Sequence, residues 1–171
     1  MLLRNCQGLT LVELVVVIVI IGILSSIIAP NAVASIEKSR VAATLADFQA
    51  IKGGVLAYYG DTGKWPQSNE QGKDPGLATK DSTSGWNGPY IDRWVEKCPL
   101  GNQYSYNRGQ NIPNGLNMDS KYKFITITGI ATSARDRLER ELDGTISANA
   151  GVVRYGGSDD NWTVYLIISE H

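Results

Sequence analysis

The sequence is poor in histidine, the side chain that most often serves in general acid–base catalysis. Among its 171 residues there is one histidine, the last residue, His171. A terminal side chain is usually mobile, so we expect neither histidine-based catalysis nor a His-rich metal site. The chain also lacks a G-x-S-x-G sequence, a phosphate-binding loop, a CxxC pair and an HExxH motif. We therefore expect a protein that is not an enzyme and that needs no cofactor or metal.

The chain has little excess of either charge. Its 16 Lys and Arg residues and 17 Asp and Glu residues leave a formal net charge of −1. The basic residues are scattered along the sequence rather than clustered, whereas proteins that bind nucleic acids usually carry a basic patch. We therefore expect no nucleic-acid partner.

One long stretch has no charge at all, because no charged residue lies between Glu13 and Glu37. Residues 9–29 are almost wholly apolar, and as a helix they would measure roughly 30 Å, the thickness of the hydrocarbon core of a bilayer. The run is too long for an ordinary secretory signal. A lipoprotein signal would place its apolar run before the cysteine, but here the run follows Cys6. An uncut signal anchor stays open as an alternative.

Glu13 is the exception within this apolar stretch. A carboxylate inside a membrane helix costs on the order of 2.5–3.5 kcal/mol, so such residues usually have a partner. The sequence offers no positive side chain at a matching depth. A new amino terminus made close to Glu13 would supply the missing charge.

The N-terminal residues resemble the signal of type IV pilins and of the pseudopilins of type II secretion. The resemblance lies in Gly8-Leu9-Thr10-Leu11-Val12-Glu13 and in the aliphatic run that follows. It implies that a prepilin peptidase cuts after Gly8, that Leu9 is then N-methylated, and that Glu13 pairs with the amino group of a neighbouring subunit. The family more often has phenylalanine at the position of Leu9. Removal of residues 1–8 would also remove Cys6, so we expect Cys98 to be a buried small apolar residue without a disulfide.

The helix is predicted to continue well beyond the apolar run, over residues 9–59. Apolar residues recur every three or four positions after Pro30, which is typical of an amphipathic helix packed on a globular domain. The predicted stripe consists of Val33, Ile36, Val41, Leu45, Phe48, Ile51, Val55 and Tyr58 or Tyr59. Pro30 stands where the family has a helix-kinking proline, and with Gly22 upstream it predicts a kink or local loosening. The Gly60-Asp61-Thr62-Gly63 sequence is expected to end the helix.

The rest of the chain predicts a small α+β head. Residues 61–107 are rich in turn-forming residues and predict a long ordered loop region, pinned by tryptophans. Its Gly63-Lys64-Trp65-Pro66 and Trp86-Asn87-Gly88-Pro89-Tyr90-Ile91 sequences resemble pilins and pseudopilins, but the acidic calcium loop of major pseudopilins is not evident. The sequence then predicts a strand over residues 122–130, a helix over 134–142 capped by Thr132 or Ser133, a strand over 151–155, a turn over 156–160 and a strand over 162–168.

Together these features predict a pilin-like α+β fold, in which a long kinked helix packs on a small, mainly antiparallel sheet. The predicted organisation is a leader (1–8), a transmembrane and assembly helix (9–29), an amphipathic helix (30–60) and a head (61–171). The resemblance implies a subunit of a type IV pilus or of a type II secretion pseudopilus. It would sit in the inner membrane with its head outside the cytoplasm before it joins an extracellular or periplasmic filament.

The partners that this resemblance implies are other copies of the chain, minor pilin-like subunits, the prepilin peptidase, an inner-membrane assembly platform and, before assembly, membrane lipid. The alternative from another class is a signal-anchored binding protein that stays outside the cytoplasm and never polymerises.

Overall fold

The fold is an α+β arrangement of two helices and a four-stranded sheet. A computed structural model describes residues 10–110, 112 and 114–170 of the chain. Its elements are α1 (Leu11–Thr62), β1 (Tyr104–Asn107), β2 (Lys123–Ile130), α2 (Thr132–Leu142), β3 (Val153–Ser158) and β4 (Asn161–Ser169). The chain divides into two compact units, Met1–Lys38 and Ser39–His171. The pilin-like α+β class predicted from the sequence is confirmed.

In the part of α1 that lies in the first unit, the large apolar side chains that the structure describes are exposed. Leu11 is 79% exposed and Ile28 is 62% exposed, and the large aliphatic residues described between them are exposed as well. The helix continues without interruption through Gly22 and Pro30. Because proline has no N–H group, Pro30 cannot donate the usual helical hydrogen bond to the carbonyl of Ser26. The kink predicted at Gly22 and Pro30 stays a prediction.

The part of α1 in the second unit packs into the core of the head. Its buried residues recur at helical spacing and are Val41, Phe48, Ile51, Val55 and Tyr58, with Leu45 partly buried. The prediction was wrong for Val33 and Ile36, which are 66% and 54% exposed. The helix ends at Thr62, and the N–H of Gly63 donates to the carbonyl of Tyr59 at 2.9 Å. Gly63 has a φ of +65°, the left-handed conformation that ends many helices.

The sheet is antiparallel throughout, with the strand order β1-β2-β4-β3. Its buried residues join those of α1 in one core, which includes Ile125, Ile127, Val164 and Leu166. A hydrogen bond of 3.0 Å from the Tyr104 hydroxyl to the Asp47 carboxylate also joins β1 to α1. The predicted strands over 122–130 and 162–168 are confirmed as β2 and β4. The predicted strand over 151–155 is confirmed as β3, but it starts later and runs to Ser158.

Two local predictions were wrong. Residues 104–107, predicted as loop, form the edge strand β1. The helix α2 is not capped by Thr132 or Ser133: it begins at Thr132, after Ala131, which makes no side-chain cap. The cap instead comes from a distant residue, because the carboxylate of Asp160 accepts a hydrogen bond from the N–H of Thr132. Such a contact between residues far apart in the chain has no local sequence pattern.

The long loop between α1 and β1 is ordered by buried side chains, as the sequence predicts. The indole N–H of Trp86 donates to the carbonyl of Gly76 at 2.8 Å, and Trp94 is 8% exposed. The carboxylate of Asp74 accepts hydrogen bonds from the N–H groups of four consecutive residues, 76–79. The predicted burial of Cys98 is confirmed: its side chain is 1% exposed, with its sulfur 3.6 Å from the Thr44 hydroxyl.

Candidate assembly site

The first turn of α1 carries a reciprocal pair of hydrogen bonds between Thr10 and Glu13. The N–H of Thr10 donates to Oε2 of Glu13 at 2.8 Å, and the N–H of Glu13 donates to Oγ1 of Thr10 at 3.2 Å. The Thr10 hydroxyl also donates to the same Oε2 at 2.7 Å. This is a capping box, in which two side chains satisfy backbone N–H groups that have no partner within the helix.

The capping box uses only one of the two carboxylate oxygens of Glu13. Oε2 accepts both bonds from Thr10, whereas Oε1 accepts none from the residues that the structure describes. An ionised carboxylate has room for about four acceptor contacts on its two oxygens. Glu13 can therefore cap its own helix and still accept a hydrogen bond from a cationic group outside this subunit.

The capping box was not predicted from the sequence, although its pattern is present there. Thr10 and Glu13 have the T-x-x-E spacing of a capping box immediately before an apolar run. The cost of an unpartnered carboxylate inside a membrane helix had pointed only to a charged partner for Glu13. The structure shows that a neutral local partner reduces that cost before any second chain is involved.

The surface that follows Glu13 is apolar on every side. We call residues 11–28 the apolar segment. As a helix it is about 27 Å long, close to the hydrocarbon thickness of a bilayer. Helix α1 is long and apolar enough to cross a membrane, and among the described residues none buries any of its most apolar window. Exposed aliphatic side chains cost roughly 25 cal/mol per Å² in water, so this surface must be covered by lipid or protein.

Two serines, one near the end of the apolar segment and one beyond it, form hydrogen bonds to backbone carbonyls of the same helix. The Ser26 hydroxyl donates to the carbonyl of Ile23 at 2.7 Å, and the Ser35 hydroxyl donates to the carbonyl of Asn31 at 2.9 Å. Such bonds satisfy the serine hydroxyls without a second chain, and they are known to bend helices. They flank Pro30, so backbone carbonyls near the predicted kink have competing partners.

The structure describes only some of the predicted site residues, and it spreads these along one helix. Glu13 and Gly22 lie on α1, as does Pro30, within the same continuous helix. Gly8 and Leu9, the predicted cleavage and methylation residues, lie outside the described residues. In the described part of the chain, no group of three or more His, Cys, Asp or Glu side chains could hold a metal ion.

Comparison with known proteins covers both the helix and much of the head. The prokaryotic N-terminal methylation motif matches residues 3–29, and a family model described as PilW, C-terminal, matches residues 35–125, more than half of the chain. The type II secretion system core protein G of Aeromonas hydrophila is 35% identical over 105 residues, which cover 59% of this chain and 72% of that protein. The chain belongs to the family of type IV pilins and pseudopilins.

Relatives in this pilin and pseudopilin family carry two kinds of name. The core protein G of Vibrio cholerae is 34% identical over 108 residues, covering 61% of this chain and 72% of the relative. The fimbrial protein EcpC of Eikenella corrodens is 39% identical over 69 residues, covering 40% of this chain and 45% of the relative. The same family thus includes a secretion-system protein and a fimbrial protein similar to this chain.

Proposed function

We propose that this chain is a structural subunit of a helical filament, processed after Gly8, N-methylated at Leu9 and polymerised through the apolar segment. The observation that supports it most is the apolar segment itself, whose side chains are not buried by the residues that the structure describes. Family membership and the matched methylation motif support the processing step. Copies that stack along an axis would cover this surface in an open assembly of identical heterologous contacts.

Before assembly, the apolar segment would hold the subunit in the inner membrane. Arg4 and the amino terminus are the positive groups ahead of the segment, and no acidic residue lies among residues 1–8. Positive charge favours the cytoplasmic side, which would leave the head outside the cytoplasm. The prepilin peptidase, the assembly platform and minor pilin-like subunits are the partners that this route requires.

Glu13 would have two tasks in the filament. Its Oε2 caps α1 within the subunit, and its Oε1 would accept a hydrogen bond from the methylated amino group of Leu9 in a neighbouring copy. Removal of residues 1–8 would leave Thr10 and the capping box in place. In the apolar interior of a filament, a charged pair costs less than a lone carboxylate, so the register that pairs the two groups is favoured.

The pseudopilus of a type II secretion system is the second candidate filament, beside a surface pilus. It is favoured by the resemblance to two core protein G sequences over more than two thirds of their length. Deletion of the gene would then block release of secreted enzymes. A surface pilus would instead be lost from the deletion strain while secretion continues.

The experiment that tests the assembly role separates the two tasks of Glu13. Glu13→Gln keeps an acceptor for the cap but removes the charge, because Gln also serves in capping boxes. Thr10→Ala removes the cap hydroxyl and keeps the charge. Both variants are expressed in place of the wild type, and sheared filaments are quantified by immunoblot beside the membrane-bound subunit.

We expect Glu13→Gln to abolish filaments at an unchanged membrane level, and Thr10→Ala to assemble them. If Glu13→Gln assembles normally, the pairing role is wrong. If Thr10→Ala fails while Glu13→Gln succeeds, Glu13 acts only as a helix cap. A signal-anchored binding protein that never polymerises would give no sheared filament with any variant, the wild type included.

A further inference from the structure

The hairpin of β3 and β4 carries an acceptor sequence for N-glycosylation. Asn161-Trp162-Thr163 is the sole N-x-S/T sequence in the chain, with a middle residue other than proline. We propose that Asn161 is a site of N-linked glycosylation. The proposal rests on the proposed function in one respect, since the head must face the compartment outside the cytoplasm where such transfer takes place.

Asn161 lies at the most accessible part of the head sheet. It is the first residue of β4 and pairs with Ser158 across a turn of two residues, Asp159 and Asp160. Both turn residues have positive φ values, 54° and 60°, as a tight hairpin turn requires. Residues 157–161 are all exposed. Among the described residues, none hydrogen-bonds the side-chain amide of Asn161.

The side chains of the acceptor sequence alternate between the two faces of β4. Trp162 points to the packed face: its indole N–H donates to the Thr132 hydroxyl at 3.0 Å, and its ring lies 4.1 Å from the guanidinium of Arg135. Successive residues of a strand point to opposite faces, so Asn161 and Thr163 share the other face. The two side chains that a transferase recognises are therefore together, and the tryptophan between them is held away.

The strand opposite Thr163 leaves room on that face. Its partner across the β3–β4 ladder is Gly156, where an added Cβ atom would meet nothing within 4 Å. A glycan on Asn161 would therefore extend over an uncrowded part of the outer sheet face, where a bulky polar group covers no core residue.

The transfer can be written as a balanced substitution at the anomeric carbon. The Asn161 Nδ2 forms a bond to C1 of the first sugar of a polyprenyl-diphosphate-linked oligosaccharide. The C1–O bond to the diphosphate breaks, and polyprenyl diphosphate leaves. The proton lost from Nδ2 goes to a base of the membrane oligosaccharyltransferase, so that no oxidant or reductant is needed.

The test is mass spectrometry of the full chain purified from its native cells. Trypsin releases residues 155–171 as the C-terminal peptide, in which Asn161 is the single asparagine. We expect this peptide to carry the mass of whole sugar residues in the wild type and in Thr163→Ser. We expect the added mass to be absent from Asn161→Gln and from Thr163→Val, while tryptophan fluorescence shows that both remain folded.

Two results would overturn the proposal. One is a wild-type peptide at its unmodified mass, and the other is an added mass that persists in Asn161→Gln, which would place the sugar on a hydroxyl. The N-terminal peptide of the same sample keeps the two proposals separate. A methylated Leu9 terminus with an unmodified Asn161 would reject the glycosylation proposal and leave the processing proposal standing. An uncut terminus with a glycosylated Asn161 would reject the processing proposal and leave the glycosylation proposal standing.

Discussion

Tyr58 and Tyr59 are neighbours on α1 with opposite environments. Tyr58 is 1% exposed, and its hydroxyl lies 2.5 Å from the Asp81 carboxylate and 2.7 Å from the Thr83 hydroxyl. Tyr59 is 42% exposed and stacks on Trp65. The Tyr58 hydroxyl therefore links α1 to the loop between α1 and β1 by hydrogen bonds, whereas the Tyr59 hydroxyl makes no hydrogen bond to a described residue.

We expect Tyr58→Phe to lower the free energy of unfolding by about 1.5–3 kcal/mol, the usual range for a hydrogen bond to a charged group. The matched control, Tyr59→Phe, keeps the stacked ring and should stay within about 0.5 kcal/mol of the wild type. Urea unfolding of the full chain in detergent, followed by tryptophan fluorescence, measures both. Equal losses in the two variants would contradict the assignment.

Glu139 is a buried carboxyl on α2 with one oxygen unsatisfied. Oε1 accepts a hydrogen bond from the N–H of Ser147, while Oε2 has no hydrogen-bond partner among the described residues. Burial raises the pKa of Glu139 above its usual value; the N–H of Ser147 and the nearby Arg135 oppose this rise, and Asp143 and Asp136 add to it. The folded state therefore holds a proton on Glu139 to a higher pH than the unfolded chain does.

Because the folded state binds this proton more tightly, the contribution of Glu139 to stability is full below its unfolded pKa of about 4.5 and falls as the pH rises through its folded pKa. The side chain introduced by Glu139→Gln stays neutral at every pH. The free energy of unfolding of this variant, relative to that of the wild type, should therefore rise as the pH rises from the unfolded to the folded pKa of Glu139, and then level off. The exposed Glu141→Gln on the same helix is the control. Urea midpoints measured from pH 4 to pH 8 check this, and parallel pH profiles for Glu139→Gln and the wild type would contradict it.

At the scale of elements, Asp143 joins the end of α2 to the start of β3. Its two carboxylate oxygens accept hydrogen bonds of 2.8 Å from the N–H groups of Val152 and Val153. Val153 is fully buried. Removal of the carboxylate leaves these backbone donors without their acceptor, and a buried unsatisfied donor costs about 1–3 kcal/mol.

We expect Asp143→Ala to destabilise the head by about 2 kcal/mol or more, and Asp143→Asn to lose less, because the amide oxygen can still accept one bond. Hydrogen exchange of the full chain in detergent should show the loss first at β3. Unchanged protection of the Val152 and Val153 amides in Asp143→Ala would show that the carboxylate does not hold this strand.

How well each element could be predicted depended on where its determinants lie. The strands β2 and β4 are runs of β-branched and aromatic residues, and α1 has a helical repeat, so local pattern was sufficient. The strand β1 has four residues within a polar stretch, and it exists because Tyr104 and Tyr106 pair with Ile127 and Ile125 of β2. The cap of α2 comes from Asp160, on the far hairpin. Contacts of this kind depend on the finished fold.

The candidate site divides in the same way. The apolar segment and Glu13 could be found from sequence, because the absence of charge and one acid at a fixed spacing are visible there. The different hydrogen bonding of the two Glu13 oxygens, of which only Oε2 accepts bonds from described residues, could not be found from sequence because it depends on side-chain geometry. The packed and outer faces of the Asn161-Trp162-Thr163 sequence likewise required the register of β3 and β4.

At the scale of the whole molecule, the chain combines a head with its own core and an apolar segment with none. Within the residues described, the head buries its aromatic and aliphatic side chains, and residues 11–28 leave theirs to be covered by other molecules. A membrane supplies that cover for a single subunit, and neighbouring copies would supply it in a filament. The cut after Gly8 that we propose would precede the passage of the subunit from the membrane to the filament.

The most direct test of this account is the intact mass and N-terminal peptide of the protein from its native membrane. We predict a chain that begins at N-methylated Leu9 and lacks residues 1–8. A chain that still begins at Met1 would contradict it, and would favour a signal-anchored protein in which Glu13 serves only to cap α1.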